Sequence, residues 1–412
     1  MRPLLVRIAH ALGILVAALG LVALALTAPA SAVGPPEYYG PHLVYRTSDG
    51  HVHVLTATRS WIRWAGYGPD VDQDATASAR TSWLAVGTPW GWVTSTQEHI
   101  VYRSSNGHVH ELWRAIGTGR WQHTDLTAAA GTTARAAGDV TGWDDSMRHV
   151  LYRGTDGRLH AFRWDNAAAR WRDIDVSAAT HVTTTVASDP RYDPMSGMFT
   201  YRTSDGRIHL VTWSGSRATD KDLSSAARAG VAAAGRPTVL FGENTVLYRG
   251  TDRHLHALVP NGAGGWVQQD LTRLAGGPAN VVGDPMGWRW TYSYLNTYVE
   301  VRYLDAAGTV NAVTRDLGSN DPDRGGYVPP SPWGWWTDDY YTGYRSLSPV
   351  TFGSEMSPTF GNVTVDGKGH LQLWAYDEPT WTSYPVDVTE SAGAPPAATG
   401  GMAYFTEFGY EG

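Results

Sequence analysis

The sequence predicts an all-β chain in which one four-stranded unit is repeated seven times, and three recurring landmarks carry that prediction. The first is a hairpin signature: Tyr45 to Gly50, Tyr102 to Gly107, Tyr152 to Gly157, Tyr201 to Gly206 and Tyr248 to Arg253 superpose without gaps. The second is an Asp-apolar-Thr/Ser triplet beginning at Asp74, Asp125, Asp175, Asp222, Asp270 and Asp387. The third is Gly/Ser-x-Pro or a relic of it, at Gly87-Thr88-Pro89, Gly138-Asp139, Asp189-Pro190, Arg236-Pro237 and Gly283-Asp284-Pro285. They return about every fifty residues, a period typical of repeat architectures.

Within each unit the apolar residues ahead of the turn (Leu43-Val44, Ile100-Val101, Val150-Leu151) read as one strand. Asp-Gly or Asn-Gly supplies the positive φ of a tight turn, and the next strand opens at His51, His108, Arg158, Arg207 and His254. The Asp triplet closes an outer strand, with Trp121, Trp171 and Trp266 four residues before it, and the Pro landmark marks a further strand. Weaker copies centre on Gly308 and Gly369, which brings the count to seven. In the sixth copy Asp316 follows Gly308 too soon to close the unit, so its outer strand is expected inside an insertion at about 320–360. Four strands per repeat specify a propeller blade, whereas a solenoid would need polar caps at its ends. The first hairpin has little chain ahead of it, so Pro395 to Gly412 should complete the first blade and remove the open sheet edges.

The predicted organisation is a signal peptide over 1–32 and a single seven-bladed domain over 33–412. Arg2 and Arg7 stand at the start of an uncharged run from Ala11 to Leu26 that is followed by Ala30-Ser31-Ala32, which reads as an export signal, with an uncleaved membrane anchor as the alternative. Export makes the expected location extracellular, with no membrane span once the signal is removed. Cysteine is absent, so burial and hydrogen bonding must hold the fold. Formal net charge is −7, which argues against a nucleic-acid partner.

The stretch Val101-Tyr-Arg-Ser-Ser-Asn-Gly-His-Val-His-Glu-Leu-Trp113 resembles the blades of the PLL-like seven-bladed lectins of the Photorhabdus and Psathyrella type. It is more distantly similar to the six-bladed fungal fucose lectins. The resemblance covers about Pro35 to Gly412. It implies glycan partners, fucose or O-methylated sugars among them, bound in clefts between blades by an Arg or similar donor, a carboxylate and aromatic rings. Carried over by position, the carboxylate is present as Glu111 and replaced by Val54, Ala161, Leu210, Ala257, Ala312 and Leu373 elsewhere. The donor position is His42, His99 and His149 in three repeats.

His99, Glu111, Trp113 and Trp121 therefore form the candidate sugar site, since hydroxyls need paired donors and acceptors and a sugar's C–H face lies on a ring. Glu111 could instead be a solvated residue on an outer strand. Trp90, Trp92, Trp288 and Trp290 are expected in exposed loops after the Pro landmark, and Trp335 and Trp336, with Asp338 and Asp339, in the insertion. These aromatic residues are the second set of ligand candidates. The recurrent His53, His110, His160, His209 and His256 fall one per repeat and cannot converge on a metal ion. They are expected to pair with the triplet aspartates, and the recurrent Arg46, Arg103, Arg153, Arg202 and Arg249 to tie Asp or carbonyl groups. No metal, cofactor or catalytic residue is indicated. A glycosidase would need two carboxyl groups across a cleft, and none stands in a recognisable setting. An extracellular protein-interaction scaffold and, further off, a propeller glycosidase or lyase remain the other readings.

Overall fold

Each hairpin signature forms as its composition dictates, and together they organise seven four-stranded antiparallel sheets, the arrangement of a β-propeller. The computed structural model describes residues 42–56, 71–116, 119–144, 147–193, 197–215, 217–240, 243–292, 296–307, 309–321, 326–328, 332–337, 351–352, 362–377, 382–398 and 402–405. The expected signal segment 1–32, Asp338 and Asp339 lie outside the described residues. Among those residues no helix is long and apolar enough to cross a membrane.

Sheet 2 shows the plan. Its strands Ala85–Val93, Gln97–Ser104, Val109–Ala115 and Gln122–Asp125 follow one another in space as in sequence. Sheets 3, 4 and 5 repeat it, their second strands being Arg148–Gly154, Met198–Arg202 and Thr245–Arg249. The Pro landmark is an irregularity in the first strand: its register shifts between Val86 and Trp90, Ala136 and Val140, and Val282 and Met286. Sheet 6 takes its fourth strand, Gly334–Thr337, from the insertion, after a separate hairpin of Ser319–Asp321 with Gly326–Val328. Sheet 1 takes its first strand from near the C-terminus: Met402–Phe405 pairs antiparallel with His42–Arg46.

The Asp triplets do more than close a strand. Each opens a single helical turn, and the aspartate is its N-cap: Asp74 accepts from the amide of Ala77, Asp125 from Ala128, Asp175 from Ala178, Asp222 from Ser225, Asp270 from Arg273 and Asp387 from Glu390. The apolar residue is buried, and the Thr or Ser hydroxyl accepts the first amide of the third strand, as in Thr127 with Val109 at 3.0 Å and Thr272 with Leu255 at 2.8 Å. The cap carboxylate also binds the residue that opens that strand, as in His51–Asp74 (2.6 Å), His108–Asp125 (2.7 Å), Arg207–Asp222 (2.7 Å) and His370–Asp387 (2.7 Å).

That occupancy corrects the expected partner of the recurrent histidines. His53 bonds Asp72 at 2.8 Å and His209 bonds Asp220 at 2.7 Å, in each case the aspartate two residues before the cap. His160 and His256 bond the turn aspartates Asp156 and Asp252, each at 3.0 Å. The period of two along a strand puts Asp72 and Asp74 on one face, and the cap has already claimed Asp74.

Adjacent sheets are joined in three ways. The carbonyl of the turn residue accepts from the next sheet: Ala85 N to Gly50 O (2.8 Å), Ala136 to Gly107 (2.8 Å), Val186 to Gly157 (2.8 Å), Ala233 to Gly206 (2.9 Å), Val281 to Arg253 (2.9 Å), and Ala397 to Gly369 (2.8 Å). The recurrent arginines reach the next sheet's landmark, Arg46 Nε to Gly87 O (2.9 Å), Arg103 to Gly138 O (3.0 Å) and Arg153 to Asp189 Oδ1 (3.1 Å) among them. Buried apolar side chains fill the seams, for example Val44, Val52 and Val54 of sheet 1 against Ile100, Tyr102, Leu112 and Trp121 of sheet 2.

The turn position itself is exacting. Gly50 has φ of +92° and an added Cβ would lie 2.9 Å from Cβ of Leu84. In the fifth copy Arg253 holds that place at φ +65°. An L-residue is strained there, so Arg253→Gly is expected to stabilise the protein by about 0.5–1 kcal/mol, read as a raised urea midpoint.

Candidate functional site

The polar residues with the most developed surroundings lie in the seam between sheets 2 and 3. Glu111, on the third strand of sheet 2, is fully buried. Its Oε1 meets Nδ1 of His99, also fully buried, at 2.9 Å, and its Oε2 lies 3.5 Å from Nη1 of Arg148 in sheet 3. Trp92 pairs across the ladder with His99 and stacks on it, with centroids 4.9 Å apart and planes 9° from parallel. On the other side the Arg148 guanidinium lies over Trp164 at 4.6 Å and Trp171 at 5.0 Å. One carboxylate thus fixes an imidazole of its own sheet and a guanidinium of the next. A buried carboxylate needs both, since an unpaired charge there is costly. Among the described residues, Nε1 of Trp92 and Nε2 of His99 are buried without a hydrogen-bond partner.

The neighbouring seam, between sheets 1 and 2, holds a similar device. Arg114 Nε donates to Glu98 Oε2 at 2.7 Å, its Nη1 to Gln73 Oε1 at 2.7 Å, and its guanidinium covers Trp121 at 4.6 Å. Trp121 Nε1 donates to the same Gln73 oxygen at 3.0 Å. Burial, with Arg114 nearby, pushes His42 down to about 3, so its imidazole is neutral. Lys221 over Trp266 at 5.5 Å is a looser version. In both close cases a buried carboxylate holds a partly exposed guanidinium over indole. Trp121 and Trp171 are buried, so it is between sheets 2 and 3, beside the half-buried Trp164, that N–H donors stand next to aromatic surface, a combination suited to hydroxyl-rich ligands.

The structure brings together His99 and Glu111 as expected but does not leave Glu111 solvated. Trp121 belongs to the seam on the other side of sheet 2, and Trp113, half-buried, pairs across the ladder with His99. The loop placement of the aromatic candidates is corrected. Trp90 and Trp92 lie on the first strand of sheet 2, which continues past the irregularity at the Pro landmark. Trp92 is buried, and Trp90 donates to Gly142 O at 2.8 Å. Trp288 and Trp290 stand in the ladder opposite Glu300 and Tyr298, and Trp335 and Trp336 opposite Val313 and Ala312, so none of the four is in a loop.

Sequence reasoning missed Arg148, Trp164 and Arg114. Arg148 precedes His149 as Glu98 precedes His99, and only the register of two sheets shows that it crosses to Glu111. Two groups bring metal-ligating atoms within 4.8 Å of one another, Asp252 with His256 and Asp270, and Asp366 with His370 and Asp387. Their atoms already serve the cap and turn networks, as in His256–Asp252 at 3.0 Å and His370–Asp387 at 2.7 Å.

No protein-family model and no curated protein matches the chain. Among solved structures, the six-bladed β-propeller lectin of Aleuria aurantia is 15% identical, covering 76% of this chain and 99% of that one, with a TM-score of 0.41. The SapL1 lectin in complex with alpha methyl fucoside is 15% identical over 76% and 98%, with a TM-score of 0.40. A Bacteroides fragilis protein provisionally named a 6-phosphogluconolactonase is 9% identical over 90% and 99%, with a TM-score of 0.50. At that identity this last likeness concerns the fold alone.

Proposed function

We propose that the chain is a secreted, seven-bladed, closed β-propeller that binds glycans at the seam between sheets 2 and 3. The observation that carries the reading is Glu111, a fully buried carboxylate that holds the Arg148 guanidinium against Trp164 and Trp171. The guanidinium supplies N–H donors for sugar hydroxyls, and Trp164, half-buried where Trp171 is buried, supplies a surface for a C–H face. The seam with Arg114, Glu98 and Trp121 is a second, related position, and two weak sites on one molecule bind a multivalent surface more firmly than either alone. Support for the closed propeller comes from the pairing of Met402–Phe405 with His42–Arg46 and from the bond between Ala397 N and Gly369 O at 2.8 Å. Export rests on the segment 1–32.

A glycan array followed by titration with methyl fucoside and an O-methylated sugar tests the reading. Arg148→Lys keeps the charge and loses the planar stack, and is expected to weaken binding about tenfold while the protein stays folded. Trp164→Ala should do the same. Silence of the unmodified protein across fucosides, O-methylated sugars and common polysaccharides would overturn it.

A further inference from the structure

The first-strand position opposite the residue before each hairpin tyrosine is Trp90 in sheet 2, Thr141 in sheet 3, Arg191 in sheet 4, Thr238 in sheet 5 and Met286 in sheet 6. Arg191 is the charged member of this set, and the residue as a whole is half-buried. Its Nη2 donates to Sδ of Met286, two sheets on, at 3.2 Å. The first strands of sheets 4, 5 and 6 therefore come within the length of one side chain. A thioether is a weak acceptor, and among the described residues Arg191 has no other hydrogen bond and no carboxylate at ion-pair distance.

The charged groups that face it are Arg236, Asp284 and Asp193. Asp284 is already taken: it accepts from the Arg236 amide at 2.8 Å and faces the Arg236 guanidinium at 3.5 Å. Burial first, then the repulsion of Arg236, lowers Arg191 to about 9, the mark of a cation whose charge is poorly balanced. Among the described residues the buried hydroxyl of Thr238, in the sheet between Arg191 and Met286, has no partner, nor has that of Thr141 on the other side. Buried hydroxyls are ordinarily satisfied, so open donors on neighbouring first strands call for an acceptor.

We propose that Arg191, with Thr238, forms a binding site for a small carboxylate, separate from the seam between sheets 2 and 3. Two carboxylate oxygens match the planar fork of a guanidinium, and the Thr238 hydroxyl can donate to one of them. A free carboxylic acid and the carboxylate of an acidic sugar share that chemistry.

Calorimetric titration of the full chain with acetate and with glucuronate tests the site and separates the two sources, with sodium sulfate at equal ionic strength as the screening control. Binding of either carboxylate is expected, weakened about tenfold or more by Arg191→Gln and several-fold by Thr238→Val, with circular dichroism unchanged. Binding of glucuronate alone would assign an acidic sugar, and binding of both the carboxylate group itself. Equal heats with sulfate, no binding of either carboxylate, or full binding in a folded Arg191→Gln would overturn the proposal. Methyl fucoside binding should be untouched by Arg191→Gln, so failure here and failure of the glycan reading are read separately.

Discussion

Glu111→Ala is expected to destabilise the protein by about 3 kcal/mol, the cost of leaving buried charged and polar groups without their partner. His99 would lose the acceptor 2.9 Å from its Nδ1 inside a fully buried site, and Arg148 the carboxylate that holds it over Trp164. The measurement is a urea midpoint shift at constant slope. A companion variant separates stability from function. Sheet 4 carries Met198 and Leu210 at the positions of His99 and Glu111, both buried and apolar. Replacing a buried polar pair by well-packed apolar residues is often neutral, so His99→Met with Glu111→Leu should recover most of the stability lost in Glu111→Ala. The same double variant should bind glycan no better than Glu111→Ala, because Arg148 is no longer held. Recovery of both stability and binding would mean that Glu111 serves packing alone. A loss of less than about 1 kcal/mol in Glu111→Ala would show that Arg148 finds solvent and His99 another partner.

The repeat is plain in the sequence because the residues that build it recur from sheet to sheet, the Asp triplet in six copies and the Arg in five. Each triplet aspartate caps a turn, each Thr or Ser anchors a strand and each Arg reaches the next landmark, so one departure would leave an unsatisfied group. The misplacements come from features with no fixed spacing. Trp90 and Trp92 look like loop residues after Pro89, yet the local irregularity lets the strand resume, and Trp92 ends against His99. Arg148 is invisible as a site residue because its partner Glu111 belongs to another repeat, 37 positions away. The displaced fourth strand of sheet 6 was legible, since Asp316 stands too close to Gly308, but not that Trp335 and Trp336 would supply it.

Acidification should remove stability in two stages, and the first begins unusually early. Burial pushes His42 to about 3 and His110 to about 4, and His123, 3.0 Å from His110, is also lowered by burial. In the unfolded chain these imidazoles protonate near 6.5. The native values lie below the unfolded ones, so the unfolded state takes up protons first. Their stabilisation is complete above about pH 6.5 and is lost as pH falls toward the native values, at about 1.4 kcal/mol per pH unit for each fully shifted histidine.

The second stage belongs to the caps. Burial alone would raise Asp74, Asp125, Asp222 and Asp387, but the cap amides and the His or Arg partners outweigh it and hold all four below the usual carboxylate range. Depressed carboxylates contribute above their unfolded value, near about 3.9, and lose that contribution as pH falls through the native one. Urea midpoints taken at intervals of about one pH unit between about 8 and 3 should therefore fall from about 6.5 and steepen below about 4. His110→Gln puts in sheet 2 the side chain that the sheet containing Leu371–Asp377 and Thr382–Asp387 carries as Gln372, opposite the cap Asp387. It removes one of the three lowered histidines, so it should flatten the first stage by about a third, and it should touch the second only through Asp125, which His110 helps to hold down. A midpoint constant from pH 8 to pH 5 would show that His42 and His110 gain protons in the folded protein as easily as in the unfolded chain.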